Sequence, residues 1–286
     1  MKLKIGCIGQ GFVGKNYADD LESRDFTVVR YSQEPEYIRN REEIASCDIV
    51  LIAVPTPTTT KGFDSSIVES VLSLVGKGRV ALIKSTMLPG TTRDLAEKFP
   101  DIYVMHSPEF LREKTAAHDV QHPERNIIGI PNNAPEWSLR AEQVLSIFRP
   151  APFSKIMDAE SAELIKYMSN CFLMSKVVFF NIMYDIANEL CLDWDQIKES
   201  VAADSRIGAS HTEIIHRSDH DDESRRGAGG RCFVKDFAAM RELHEKILPE
   251  NLHSLNVLKS IERNNIDLLR RSGKDVDIIN DIYKEN

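Results

Sequence analysis

The 286-residue sequence has no apolar stretch of membrane-spanning length. It has no excess of positive charge. Its 36 Lys and Arg against 44 Asp and Glu leave a net charge of −8, which argues against a general nucleic-acid binder but leaves room for a local basic pocket. Its five cysteines, at 7, 47, 171, 191 and 232, are odd in number and lack framework spacing. No disulfide scaffold is expected, and a reduced, cytoplasmic compartment is the simpler reading. Met1-Lys2-Leu3-Lys4-Ile5-Gly6 enters a strand at once and leaves no room for a signal peptide. No internal repeat is visible. The chain lacks an HExxH helix and any closed zinc spacing, so no metal is expected. His211, His216 and His220, with Asp219, Asp221 and Asp222, read instead as part of a solvated surface loop over 209–228.

What is present is an ordinary globular composition, 42% hydrophobic and 28% charged, on a chain long enough for two domains. The first half alternates short apolar runs with amphipathic stretches. Strands are expected at Leu3–Ile8, Thr27–Tyr31, Asp48–Val54, Val80–Ile83, Ile102–Met105 and Asn126–Ile130, with helices at 13–24, 64–76 and 91–98. Apolar runs separated by helices predict a doubly wound, mainly parallel, Rossmann-like sheet over 1–157. After Pro150 the pattern becomes helical. From Ala159 to about Leu190 no strong breaker intervenes, and Leu164, Met168, Phe172 and Phe179 fall on one face, read as a broad buried stripe. Such a helix is roughly 45 Å long, which suits a link between domains or a subunit interface. Helices are also expected at 195–203, 235–247 and 250–271. The fold class is thus α/β, with a smaller helical domain over 158–286 entered by a long connecting helix.

Gly9-Gln10-Gly11-Phe12-Val13-Gly14 follows the first strand and opens a helix. In that setting Gly9 makes the tight turn, Gly11 lets a pyrophosphate approach the backbone, and Gly14 packs helix on strand. The helix N-terminus then faces the phosphates. A ligand-free glycine turn is the weaker alternative. The acidic residue expected at the end of the second strand is missing. Ser32 stands near that place, with Arg30, Arg39 and Arg41 close in sequence and Glu34 in reach, so NAD and NADP both stay open with a slight lean to NAD. Polar motifs bearing Thr56, Thr86 and Glu109 fall at strand carboxyl ends, where open α/β sheets bind ligands.

Cys232 sits in Gly229-Gly230-Arg231-Cys232-Phe233-Val234-Lys235-Asp236. A thiol must be deprotonated to attack, and Lys235 together with a helix start nearby supplies the positive environment that this needs. The other four cysteines read as small buried hydrophobes. Lys166 and Asn170 are four apart on the long helix and share a face suited to a developing oxyanion. Without further support, a solvated Glu163–Lys166 pair is the better reading of that stretch.

Together these runs resemble the UDP-glucose/GDP-mannose dehydrogenase family, nearest to its UDP-glucose-oxidising members. The resemblance rests on the glycine run, Val54-Pro55-Thr56-Pro57, Lys84-Ser85-Thr86, Ser107-Pro108-Glu109-Phe110-Leu111-Arg112-Glu113, Ala162 to Lys166 through Asn170, Arg206-Ile207-Gly208 and the cysteine motif, all in the family's order. It implies a four-electron oxidation of a sugar primary alcohol to a carboxylate with two NAD. It further implies Cys232 as nucleophile, Lys166 and Asn170 as oxyanion holders, Asp236 and Glu109 as handlers of protons and water, and Thr86 as the group that positions water and nicotinamide. Gly9, Gly11, Phe12, Val13, Gly14, Ser32, Thr56, Ser85, Thr86 and Glu113 would line the cofactor. Glu109, Phe110, Leu111, Lys166, Asn170 and Lys235 would touch substrate. Arg206 would reach the nucleotide-sugar phosphates from a neighbouring subunit, which implies a homodimer built on the long helix.

There are departures. Arg231 replaces the family's usual serine and Val234 its usual proline, and the 209–228 segment is longer than usual. Family members usually continue into a further α/β domain that helps to bind the nucleotide, so a short form without it is expected. Two other readings therefore stand beside the first: a two-electron dehydrogenase of a hydroxy acid or alcohol, and a cofactor-binding regulatory module without turnover.

Overall fold

The computed structural model describes residues 3–59, 61–218 and 221–283. In chain order the elements are β1 (Lys4–Ile8), α1 (Phe12–Ser23), β2 (Thr27–Tyr31), β3 (Ile49–Ile52), the two-residue strands β4 (Thr58–Thr59) and β5 (Gly62–Phe63), and α2 (Ser66–Leu72). There follow β6 (Val80–Ile83), α3 (Thr91–Lys98), β7 (Tyr103–His106), α4 (Ala116–Gln121), β8 (Arg125–Ile130), α5 (Pro135–Ile147) and β9 (Phe153–Asp158). The chain then runs through α6 (Ala159–Glu189), α7 (Trp194–Ala202), β10 (Ile215–Ser218), β11 (Asp221–Arg226), α8 (Arg231–Ile247), α9 (Leu252–Ser272) and α10 (Val276–Ile282). Two compact units result. The first holds residues through Pro57 and Asp64–Lys166; the second holds Thr58–Phe63 and everything from Tyr167 onward. The division falls inside α6.

The first unit is a seven-stranded sheet in the order β2-β1-β3-β6-β7-β8-β9. Its pairings are parallel except for β7 with β8, which meet antiparallel at His106 and Gly129. The central strands are short and apolar on both faces, because helices cover both. All four residues of Ile49–Ile52 and of Val80–Ile83 are buried. Strand order reverses between β1 and β3, and a ligand crevice opens at such a switch point. The strand β9 and the helix α5, which starts with Pro135 in its first turn, were not legible in the sequence pattern. The first turn of α6 packs on β8 at Gly129, where any Cβ would crowd Ala159 and Ala162.

The second unit is helical apart from the small hairpins β4–β5 and β10–β11. Asp193 caps α7 by accepting from the Gln196 amide, and Asn251 caps α9 by accepting from the Ser254 amide. The helix α9 ends at Gly273 in the left-handed conformation. Two apolar clusters hold the unit together. One joins Val234 and Ala238 of α8 to Leu269, Ile278, Ile279 and Ile282; the other joins Met174 and Val177 of α6 to Ala228 and Phe237.

Two expectations are corrected here. The 209–228 segment is not all loop: β10 and β11 pair antiparallel over Ile215–Arg226. Ile215-His216-Arg217-Ser218 and Asp221 to Arg226 carry no period-2 apolar alternation, so the hairpin left no pattern to read. Asp219 and His220 lie outside the described residues. The α6 stripe is not buried within the chain: Leu164, Met168, Phe172 and Phe179 are 45%, 69%, 66% and 55% exposed. The buried face of α6 carries Tyr167, Met174, Val177, Val178 and Ala187 instead.

Candidate active site

In the first unit, Gly9 sits just past β1 with φ of +88°, and its amide donates to the Tyr31 carbonyl at 2.8 Å. A Cβ at Gly9 would overlap the Ala53 carbonyl, and one at Gly14 would overlap the Gly9 carbonyl. The turn, α1 and β3 are therefore in close backbone approach. Gly11 differs: nothing in the protein lies within 4 Å of where its Cβ would stand. This leaves open space at the N-terminus of α1, whose first turn has no acidic residue to compete for an anion. Phe12 and Val13 are the first residues of that helix. These features fit a dinucleotide pyrophosphate. Ser32, just past β2, accepts from the Glu34 amide at 3.2 Å. Arg30 is turned to Asp19 and Glu22, at 2.6 and 2.7 Å, so its charge is already committed.

The ends of β3 and β6 are tied together. Thr56 donates to the Thr86 carbonyl at 2.9 Å, and Ser85 donates to the Val54 carbonyl at 2.7 Å while accepting from the Val54 amide at 3.0 Å. Beyond β7 the chain reaches Glu109, which pairs with Lys166 at 2.9 Å with both side chains buried. Burial opposes ionisation of Glu109, yet the Lys166 ammonium, the Leu111 amide at 2.8 Å and the Lys84 charge hold its carboxyl below the ordinary value. Phe110 lies under the Arg125 guanidinium, 3.6 Å from its ring centre. Glu113 lies on an exposed turn.

Two groups at this strand end were not anticipated as site residues. Lys84 is buried, donates to the Ser107 hydroxyl at 3.0 Å and stands 4.5 Å from the Tyr17 ring centre. Burial, opposed by the Glu109 charge and reinforced by that of Lys166, brings its ammonium down to about 7. His106 is fully buried, and neither ring nitrogen has a hydrogen-bond partner among the described residues. Burial and the Lys84 charge push it down to about 3, so the ring is neutral. The sequence signal for His106 was a polar residue closing an otherwise apolar strand; Lys84 stood in the Lys84-Ser85-Thr86 run without a role of its own.

In the second unit, Cys232 is exposed and occupies the first turn of α8, which starts at Arg231 rather than after the cysteine. The N-cap, Gly230, has φ of +84°, a backbone conformation that glycine adopts without strain. Asp236 lies one turn on from Cys232, on the same face of α8. It is buried, accepts from the Asn170 amide at 2.6 Å and pairs with Lys235 at 2.6 Å. Cys171 is half-buried and pushed up to about 12 by burial with the Asp236 and Glu262 charges, so it is an inert thiol. Arg206 is exposed and pairs with Asp204 at 2.6 Å. Its loop is pinned by Lys176, which donates to the Ile207, Gly208 and Ser210 carbonyls at 2.8, 3.0 and 2.5 Å.

Each unit thus collects its own set. Glu109, Phe110, Leu111 and Lys166 assemble in the first, beside the Thr56, Ser85 and Thr86 ties; Asn170, Lys235, Asp236 and Cys232 assemble in the second. A doubly wound sheet with a glycine turn at its switch point, joined to a helical unit by one long helix, defines the class of nicotinamide-dinucleotide-binding dehydrogenase folds. Within that class the chain belongs to the UDP-glucose/GDP-mannose dehydrogenase family. Residues 38–151 match the family's NAD-binding domain and residues 160–266 its central domain. The glycine run lies ahead of the first matched span.

The UDP-glucose 6-dehydrogenase of Rickettsia prowazekii is 30% identical over 234 residues, covering 78% of this chain and 50% of the relative. A UDP-glucose dehydrogenase structure from Pyrobaculum islandicum superposes with a TM-score of 0.78 at 25% identity, covering 94% of this chain and 69% of that one. A 3-hydroxyisobutyrate dehydrogenase from Mycobacterium tuberculosis shares the fold, with a TM-score of 0.66 at 14% identity, covering 94% of this chain and 96% of that one. The chain spans about half the length of the curated relatives it matches. Among the described residues, no helix is long and apolar enough to cross a membrane.

Proposed function

We propose that the chain is a cytoplasmic nucleotide-sugar 6-dehydrogenase that oxidises a sugar primary alcohol to the carboxylate, with UDP-glucose the first substrate to try and NAD the cofactor. The observation that carries this reading is the thiol in the first turn of α8, one turn before an aspartate held by Asn170 and Lys235. A two-electron alcohol oxidation needs no nucleophile; a second oxidation to the acid level does. The committed Arg30 supports NAD over NADP, because that guanidinium is not left to meet a 2′-phosphate.

The glycine turn and the N-terminus of α1 would hold the pyrophosphate of NAD, and two NAD in succession would supply the hydride acceptors that the two oxidations require. The protein's part begins with Glu109, ionised beside Lys166, which relays the hydroxyl proton as the alcohol becomes aldehyde. The Cys232 sulfur adds to the aldehyde carbon, and the carbonyl oxygen takes a proton to give a thiohemiacetal. Loss of a second hydride and of that hydroxyl proton gives the thioester. Water then attacks; the C–S bond breaks, the acid leaves, and the thiol recovers its proton. Lys166 and the Asn170 amide offer N–H groups to the oxyanions formed as sulfur and then water add. Asp236 accepts a proton from the attacking water. Thr86 positions that water and the nicotinamide, with Thr56 and Ser85 bracing the strand ends. Phe110, Leu111 and Lys235 contact the sugar, and Glu113 lies toward the cofactor.

The exposed stripe of α6 supports a homodimer, with Arg206 reaching the phosphates of the substrate bound to the other subunit. The test is stoichiometry. Two NADH per UDP-glucose consumed are expected, and Cys232→Ser should stall after the first oxidation. One NADH per turnover with an unaffected Cys232→Ser variant would replace this reading with a two-electron hydroxy-acid or alcohol dehydrogenase. Tight NAD binding without turnover on UDP- or GDP-sugars would leave a regulatory module.

A further inference from the structure

The segment that delivers Cys232 to the start of α8, Gly227-Ala228-Gly229-Gly230, is not held by its neighbours in sequence. Its backbone groups are taken by side chains from the end of α9 and the start of α10. Asn265 accepts from the Ala228 amide at 2.8 Å and donates to the Ala228 carbonyl at 2.9 Å, closing both groups of one residue. Lys274 donates to the Gly227 carbonyl at 3.0 Å. Asp275 accepts from the Gly230 amide at 2.8 Å. Ser272 donates to the Arg226 carbonyl at 3.1 Å.

Gly229 lies against this group so closely that a Cβ would overlap the Asp275 carboxylate and press on the Lys274 Cε at 2.5 Å. Asn265, Lys274 and Asp275 are 1%, 0% and 6% exposed. Below them, Ile278, Ile279 and Ile282 of α10 seat on Val234 and Ala238 of α8.

Two features say that this is more than packing. Burying an ammonium and a carboxylate costs several kcal/mol per ion before pairing, and here that cost is set against backbone groups of Gly227, Ala228 and Gly230 that these side chains satisfy. What the polar groups add is direction: each bond fixes one backbone group, and together they fix the angle at which the segment enters α8. Second, Lys274 and Asp275 lie beyond residue 266, where the match to the family's central domain ends.

We infer that Lys274 and Asp275, with Asn265, are positioning residues that hold the Gly227–Gly230 backbone so that the Cys232 sulfur stands where it can attack. This rests on the reading of Cys232 as the nucleophile. A displacement of about 1 Å in a reacting group can cost on the order of a hundredfold in rate, so the clamp acts on kcat rather than on binding.

The experiment uses the full chain with UDP-glucose and NAD. It compares wild type, Lys274→Met, Asp275→Ala, Asp275→Asn and Cys232→Ser. Each is measured for kcat and KM and for the rate at which iodoacetamide alkylates Cys232, located by mass spectrometry. Lys274→Met keeps the apolar stem and loses the bond to Gly227. Asp275→Asn keeps an acceptor for the Gly230 amide and a residue type at home at φ of +51°; Asp275→Ala keeps neither.

Lys274→Met and Asp275→Ala should lower kcat about 10- to 100-fold with KM values within about twofold, and should change the alkylation rate by about fivefold or more. Asp275→Asn should stay within about threefold of wild type. If Lys274→Met does not fold, the contrast between Asp275→Ala and Asp275→Asn decides alone. Folded Lys274→Met and Asp275→Ala that keep wild-type kcat and alkylation rate, while Cys232→Ser stalls, overturn the clamp. A Cys232→Ser variant that turns over like wild type overturns the nucleophile reading first, and the clamp's role with it.

Discussion

Glu163 of α6 receives both the amide and the hydroxyl of Thr92, at 2.8 and 2.6 Å, and its second oxygen receives the Gly90 amide at 2.7 Å. One fully buried carboxylate therefore caps the N-terminus of α3 from a different element. The sequence suggested a solvated Glu–Lys pair for this residue; the structure buries it and gives it three donors.

That cap titrates. Burial raises the Glu163 carboxyl to about 7, against the three hydrogen bonds and with the Glu160 charge adding to the rise. The folded protein thus keeps a proton that the unfolded chain releases near 4.5. The contribution of Glu163 is fully present at low pH and is lost as pH rises through about 7. Glu163→Gln removes the titration. Urea midpoints should show wild type losing stability relative to this variant between about pH 5 and about pH 8. A constant difference across that range contradicts the assignment. Glu163→Ala strands three donors and should cost about 3 kcal/mol near pH 5, a cost that shrinks as pH rises through about 7.

Lys84 titrates with the opposite sign. Its ammonium is lowered to about 7 in the folded protein from 10.5, chiefly by burial. Its contribution to stability therefore grows as pH rises from about 7 and is lost as pH falls through that value. Lys84→Met should remove about 2 kcal/mol of the gain in unfolding free energy seen between pH 7 and pH 8.5. The variant should also raise the acidic limb of the kcat/KM profile, since Glu109 loses a neighbouring positive charge. An unmoved limb would mean that Lys84 and Glu109 are not electrically linked.

The glycine turn separates folding from binding. Gly14→Ala would force a Cβ onto the Gly9 carbonyl and should unfold the first unit or shift its melting sharply. Gly11→Ala meets nothing in the protein. It should melt within about 0.5 kcal/mol of wild type while weakening NAD affinity about tenfold or more. Isothermal titration with NAD checks this, and equal affinities would remove the pyrophosphate from that position.

The α6 stripe predicts an assembly. Met168, Phe172, Phe179, Ile182 and Ile186 fall on one helical face and are 39–69% exposed. Sedimentation should find a dimer, and Phe172→Glu should shift it to monomer at micromolar protein. A wild-type monomer would leave the stripe to some other partner and would separate Arg206 from any second subunit's substrate.

Much of this protein is legible in its sequence because the signals are local. The glycine turn, the apolar strands and the uninterrupted helix each announce themselves within a dozen or so residues, through backbone freedom, burial on two faces and the absence of a breaker. The order of the motifs was enough to place the chain in its family. The sequence alone did not decide which face of the long helix is buried, since Leu164, Met168, Phe172 and Phe179 look like core until the rest of the chain is seen to pack elsewhere. Nor did it reveal the hairpin of β10 and β11, whose sequences are charge-rich and lack any apolar alternation. Lys84, His106, Glu163, Lys274 and Asp275 look like surface residues by type. Only the tertiary structure buries them: Lys84, Glu163, Lys274 and Asp275 meet partners 23 to 71 residues away that no local pattern can supply, and His106 is enclosed by the sheet's packing.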